Sequence, residues 1–239
     1  MIKEVILDID NTLYDYEKGH AHGTALMVEY AKRELGIGGE EFLESYHSHY
    51  KKIIGRLGQD DAAIHSRSIR LLEMLEDWGK PIFPHLDNLY NLYWDGLLEV
   101  STPEPGSLET VSMLKDRGIA IGIGTDMTLR MQLRKLETLG FSPYVDHIVT
   151  SQEAGVEKPQ SRFMELCIEK SGCRPQECAF VGDSFKKDAC GSAKAGMLGI
   201  WYNRKNEEYP SDVIPVRGKL HEIRSFSELV PYIDSINNA

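Results

Sequence analysis

The 239-residue chain has only four cysteines, Cys167, Cys173, Cys178 and Cys190, all in its last third and none in a C-x-x-C pair. That excludes a zinc ribbon and a secreted disulfide framework, so reduced thiols, mostly in a core, are expected. No apolar run is long enough to span a bilayer, and the N-terminus lacks the apolar stretch of a signal peptide. Basic charge is also in deficit: 27 Lys and Arg against 37 Asp and Glu leave a formal net charge of −10. A nucleic-acid or acidic-membrane surface would need a basic face, so neither partner is expected. Any anionic substrate must then be met by local cations or a metal. Internal repeats and low-complexity tracts are missing as well. What is present is 41% hydrophobic residues, enough to fill one large domain or a core domain plus a smaller one, in a soluble, cytoplasmic protein.

Val5, Ile6 and Leu7 form a short apolar run bounded by charge, which predicts a buried parallel strand. The strand ends on Asp8, and Asp10 follows two residues on. In an open α/β sheet ligands lie beyond the carboxyl ends of the strands, so Asp8 is delivered to the place where a substrate would bind. Two carboxylates this close repel unless a cation or a shared proton lies between them, which suggests a hard-metal site or an acid/base pair. The alternative is a plain polar turn, Asp-x-Asp-Asn-Thr, after a strand.

From about Tyr16 to Val100 no strand pattern occurs. Apolar residues at helical spacing predict four helices, around Ala25 to Leu35, Phe42 to Tyr50, Ile64 to Leu75 and Pro84 to Leu98. After Pro103-Glu104-Pro105-Gly106 helix and strand patterns alternate. Strands are predicted at 119–124, 145–150, 178–182 and 197–202, with helices at 108–117, 128–139, 159–171 and from the Asp183 loop through Ala195. A last short strand and helix fall between Leu220 and Ile233. This succession implies an α/β chain: a right-handed, mostly parallel sheet covered on both faces, from residues 1–15 and 101–239, with an all-helical insert over 16–100. Both connections to the insert leave near the carboxyl end of the first strand, so the insert is expected above Asp8 and Asp10, placed as a lid.

Three strand ends thus bring polar groups to one edge: Asp8 and Asp10, Thr125 and Asp126, and Asp183 followed by Asp188. A loop from Glu153 adds Lys158, just before a helix whose first turn Pro159 would set. On these residues the chain resembles the haloacid dehalogenase-like hydrolase superfamily with a small helical cap after the first motif. Asp8-Ile9-Asp10-Asn11-Thr12 matches its D-x-D-x-T motif, Thr125 its second-motif Thr or Ser, Lys158 its third-motif Lys, and Gly182-Asp183-Ser184 with Asp188 its acidic fourth motif. The cap matches only in length and helical character. The runs Gln132 to Gly140 and Ser151 to Pro159 resemble phosphatases acting on nucleoside monophosphates and similar small phosphate esters.

The resemblance implies a Rossmann-like three-layer core and a Mg2+-dependent phosphatase. Its substrate would be a small-molecule phosphate monoester, a nucleotide or a sugar phosphate, and it would act as a monomer or homodimer. Asp8 would be the nucleophile that becomes an aspartyl phosphate. Asp10 would act as general acid and then base. Mg2+ would be held by the Asp8 carboxylate, the Asp10 backbone carbonyl and Asp183. Thr125, Asp126 and Lys158 would line the phosphate site, with Lys158 offsetting its negative charge, and Asp188 would orient Lys158 or a metal-bound water. Asp126 departs from the Asn often found there, and its carboxylate must point away from phosphate or meet a cation. A carboxyl at position 10 favours phosphoryl transfer over dehalogenation, because a leaving halide needs no proton. A phosphomutase of the β-phosphoglucomutase type and a non-catalytic phosphate-sensing protein are the alternatives.

Other polar residues are expected to be structural. His20 with His22, and His47 with His49, point away from each other on a helix and are expected on solvated surface. Tyr30, Tyr46, Tyr50, Tyr90 and Tyr93 are expected mostly in packing. Arg67, Arg70 and His65 lie together on one helix, where an exposed, charged face is expected ahead of the alternative, a face turned to the site in contact with substrate. Tyr14 and Tyr16 flank the connection beside the acidic loop, where packing and substrate contact are equally consistent with the sequence.

Overall fold

The β-branched and aliphatic runs form six strands in the computed structural model, which describes residues 1–210 and 218–238. They are β1 (Glu4–Leu7), β2 (Ala120–Thr125), β3 (His147–Thr150), β4 (Cys178–Gly182), β5 (Leu198–Tyr202) and β6 (Leu220–Ile223). One sheet results, in the order β3-β2-β1-β4-β5-β6, with every neighbouring pair parallel. The chain runs outward from β1 through β2 to β3, then returns to β4 and runs outward to β6. Its change of direction therefore falls at β1 and β4, the switch point where open α/β sheets bind ligands. β1 and β4 are buried along their whole length, as unbroken apolar strands covered on both faces should be. The Asp8 N–H donates to the Val181 carbonyl at 2.9 Å, so the ladder extends one residue past β1 and fixes Asp8 at the sheet edge.

The chain divides into two compact units, Met1–Asp15 with Thr102–Ala239, and Tyr16–Ser101. The second contains α1 (Tyr16–Tyr30), α2 (Gly39–Leu57), α3 (Arg67–Asp77) and α4 (His85–Glu99). α1 and α4 approach backbone to backbone, for a Cβ at Gly23 would overlap the Tyr93 carbonyl oxygen. The third helix is divided rather than continuous. The Asp61 carboxylate accepts the Ala63 N–H at 2.8 Å to start a 3-10 turn, Ala62–His65, and the Ser66 hydroxyl accepts the Ile69 N–H at 3.3 Å to start α3. Side chains that take up backbone N–H groups in this way restart a helix rather than continue it.

His47 is exposed, as expected, and His22 and His65 are half-buried, but His49, His20, Arg67 and Arg70 correct the surface expectation. His49 is buried, between the Ser45 carbonyl at 2.8 Å and the Asp77 carboxylate at 2.9 Å. His20 is half-buried, stacked on Tyr16 and bonded to the Tyr93 hydroxyl at 2.8 Å. Arg67 and Arg70 are only 6% and 7% exposed. Their partners come from other helices, which spacing along one helix does not reveal. Tyr30, Tyr46 and Tyr93 are buried, as packing residues should be, and Tyr50 and Tyr90 are half-buried.

The sheet is covered by α5 (Ser107–Asp116), α6 (Leu129–Thr138), α7 (Ser151–Ala154), α8 (Ser161–Ser171), α9 (Cys190–Lys194) and α10 (Leu229–Asn237). α8 begins at Ser161, two residues beyond the expected Pro159, which leaves Lys158 in the loop between α7 and α8. A π turn, Phe185–Ala189, leads into α9. Cys167, Cys178 and Cys190 are buried, Cys173 is half-buried, and all four are free. Among the described residues no helix is long and apolar enough to cross a membrane.

Candidate active site

Asp8 leaves β1 only 5% exposed. Its Oδ1 accepts from Lys158 Nζ at 2.7 Å, and the same ammonium meets Asp188 Oδ1 at 2.8 Å. Asp188 is positioned in turn by the Ser184 N–H, which donates to its other oxygen at 2.9 Å. A Cβ at Gly182 would overlap the Asp188 carboxylate, so β4 must end on glycine for this acid to reach Lys158. Burial lowers the proton affinity of Lys158, but Asp188, Asp8 and Asp126 outweigh it and hold the ammonium well above the ordinary lysine range.

Asp10 sits in the turn that follows, where Asn11 adopts a left-handed φ of 60°, a conformation asparagine tolerates. Lys135 Nζ donates to both Asp10 oxygens, at 2.6 and 2.8 Å, and is itself fully buried. The Tyr14 hydroxyl donates to Oδ1 at 2.5 Å and Gln132 Nε2 to Oδ2 at 3.2 Å. Burial would raise the Asp10 pKa, but Lys135, Tyr14 and Gln132 together hold it below the usual carboxylate range. Gln132 Nε2 also reaches Thr125 Oγ1 at 2.6 Å, tying the end of β2 to the Asp10 turn.

Asp183 completes the edge. Its N–H donates to Thr12 Oγ1 at 3.0 Å, and its carbonyl accepts from Trp201 Nε1 at 2.8 Å, so the backbone at the end of β4 is held from both sides. Carboxylate oxygens of Asp8, Asp183 and Asp188 lie within 4.8 Å of one another. Burial, with Asp188 and Asp183 adding to it against the pull of Lys158, raises Asp8 to about 8. Burial and the neighbouring Asp188 raise Asp183 to about 7. Hard oxygen donors that hold protons for want of positive charge suit a divalent cation such as Mg2+ or Ca2+.

Asp126 does meet cations. Its Oδ1 accepts the Lys158 N–H at 3.0 Å, and Lys187 Nζ sits on Oδ2 at 2.9 Å and on Glu157 at 3.5 Å. Burial favours its protonation, but Lys158 and Lys187 keep it below the ordinary range. The carboxylate therefore anchors the Lys158 loop, and the expectation that it lines phosphate is not what these contacts favour.

The seven residues expected from the motifs thus gather at the ends of β1, β2 and β4 and in the α7–α8 loop. The sequence reading missed Lys135, Gln132, Thr12 and Lys187 and left Tyr14 open. One signal was available: Gln132 and Lys135 lie three apart on α6, flanked by the buried apolar residues Met131 and Leu136. A lysine on an apolar helix face needs a buried acid.

The profile of the haloacid dehalogenase-like hydrolases matches residues 2–196. The chain is 34% identical over 210 residues, 87% of each protein, to the ribulose-1,5-bisphosphate 5-phosphatase of Halopiger xanaduensis. It is 28% identical over 151 residues to a pyrimidine 5'-nucleotidase of Escherichia coli, covering 62% of this chain and 67% of that one. In fold it is similar to a 2-haloacid dehalogenase from Pseudomonas syringae pv. Tomato, with a TM-score of 0.81 at 20% identity over 98% of this chain and 99% of that one. The chain belongs to the haloacid dehalogenase-like hydrolases, and the matching phosphatases place it among the phosphoric monoester hydrolases of that family.

Proposed function

We propose that the chain is a Mg2+-dependent phosphatase that cleaves a small phosphate monoester, a sugar phosphate or a nucleotide, through an aspartyl phosphate on Asp8. The observation that carries this reading is the pairing of two carboxylates in opposite states. Buried Asp8 shares the single ammonium of Lys158 with Asp188 and is pushed up, and Asp10, two residues on, is held ionised by Lys135. Mg2+, bound by the carboxylates of Asp8 and Asp183 and the Asp10 carbonyl, would supply positive charge as the phosphoryl group moves.

In this reading an Asp8 oxygen attacks phosphorus as the ester oxygen departs. Lys158, on Asp8 Oδ1 and Asp188, offsets the charge that the incoming phosphate adds. Thr125 supplies its hydroxyl to a phosphate oxygen. The negative phosphate also raises the proton affinity of Asp10, which takes up the proton of the bound phosphate monoanion and passes it to the leaving oxygen. Ionised again, Asp10 takes a proton from the water that attacks phosphorus. The bond to Asp8 breaks, inorganic phosphate leaves, and Lys135, Tyr14 and Gln132 keep the Asp10 carboxylate oriented throughout.

The test is phosphate release from a panel of sugar phosphates, nucleoside monophosphates and small phosphorylated acids, with Mg2+ or with excess chelator. Metal-dependent release concentrated on one class is expected, and Asp8→Asn should lower it at least about a thousandfold. Silence across the panel from folded protein would reject the proposal, as would full activity in Asp8→Asn.

A further inference from the structure

Arg67 and Arg70 lie one helical turn apart on α3, and both residues are more than nine-tenths buried. Neither makes an ion pair with any carboxylate among the described residues. The acids of α3 lie elsewhere: Glu73 meets Arg56 at 2.6 Å, Asp77 meets Lys52 at 3.0 Å and His49 at 2.9 Å, and Glu76 is exposed. The arginines face aromatic residues instead. Arg67 donates to the hydroxyls of Tyr16 at 2.7 Å and Tyr93 at 2.5 Å, and lies over the rings of Tyr93 and Trp94 at 4.0 and 4.5 Å. Arg70 lies over the rings of Tyr46 and Tyr50 at 4.5 and 4.4 Å.

Ring faces attract a guanidinium but leave its in-plane N–H donors unused. The Arg67 Nε, the Arg70 Nε and the Tyr46 hydroxyl are all buried without a hydrogen-bond partner. Two like charges and three unused polar groups in one place are costly unless an anion answers them. The surrounding field agrees: burial, and then Arg67 and Arg70, push His20 down to about 4, so this histidine is neutral and adds no counter-charge. Phosphate is the anion that fits. Planar guanidinium forks pair with its oxygens two at a time, and a dianion matches two arginines.

We propose that the helical unit carries a phosphate-binding site formed by Arg67, Arg70 and the Tyr46 hydroxyl. The bound group is inorganic phosphate or a phosphate carried by an organic molecule.

The test follows the Nε–Hε resonances of Arg67 and Arg70 by 15N NMR on the full chain in chelator, while inorganic phosphate is added. Spectra of Arg67→Lys and Arg70→Lys assign the two signals. Saturable movement of both signals, which chloride at matched ionic strength does not reproduce, is the expected result. Signals that stay still, or move equally with chloride, would overturn the site, and the unmutated chain is enough to show it. A second titration separates the two sources, with glycerol phosphate in place of inorganic phosphate. Saturation at about tenfold lower concentration than inorganic phosphate assigns the site to an organic phosphate, and saturation at equal or higher concentration assigns it to free phosphate.

Discussion

At the strand ends the lysines face acids: buried Lys158 meets Asp8 and Asp188, buried Lys135 meets Asp10, and the partly exposed Lys187 meets Asp126 and Glu157. In the helical unit two buried arginines face rings and hydroxyls, and no carboxylate among the described residues. The first region holds more negative charge than its lysines can answer, and two of its aspartates respond by retaining protons. The second holds positive charge that no carboxylate among the described residues answers. An imbalance left inside a folded chain marks the place where a ligand supplies the missing sign.

Removing charge from each region tests the contrast. The largest effect is expected at Lys158. Lys158→Met takes the one cation from Asp8 and Asp188 and should lower kcat/KM by about a thousandfold, measured under the conditions that give turnover in the wild type. Lys135→Met should cost about a hundredfold and move the acidic limb of the kcat/KM profile to higher pH, since Lys135 is what holds the Asp10 pKa down. An acidic limb that stayed in place would separate Lys135 from Asp10 titration.

The raised pair predicts how stability responds to pH. From about 4 the folded chain keeps protons that the unfolded chain has released, on Asp183 up to about 7 and on Asp8 up to about 8. Folding stability in chelator should therefore fall as pH rises through that window, and Mg2+ should restore more of it at pH 8 than at pH 5. Asp10 and Asp126 act in the opposite sense. Their pKa values are depressed, so their contribution is present above the ordinary carboxylate pKa and is lost as pH falls below about 4. Thermal melts from pH 5 to 8 with and without Mg2+ would read this, and a profile indifferent to both would contradict it.

Smaller effects close the series. Lys187 is 45% exposed, and Lys187→Met should cost about 1 kcal/mol or less in denaturant unfolding. Arg70→Met should leave the melting temperature in phosphate-free buffer unchanged or higher, because replacing a buried charge that lacks a counter-ion by an apolar side chain is neutral or stabilising. A loss of several degrees would make Arg70 a structural residue and weaken the contrast between the two regions.

The strands and their acidic ends were legible because each follows a local rule. An apolar run such as Cys178 to Gly182 stops at an acid, and the sheet brings those stops to one edge. Lys135 was not legible, because a lysine on a helix reads as surface until its acid is known, and Asp10 lies 125 residues away. His49, Arg67 and Arg70 failed for the same reason, with partners on other helices. The break at Ser66 was a matter of competing local signals: the apolar period runs on from Ile64 to Leu75, while a hydroxyl in the middle captures a backbone N–H.

The central claim is that Asp8 carries the phosphoryl group during turnover. The most direct measurement is an acid quench of the enzyme during steady-state hydrolysis of an ester with a labelled phosphoryl group, followed by digestion and mass spectrometry of the peptide containing Asp8. The account predicts labelled phosphate on Asp8 of the wild type and none on the same peptide of Asp8→Asn. Rapid turnover with no label on Asp8, or label on a different residue, would contradict it.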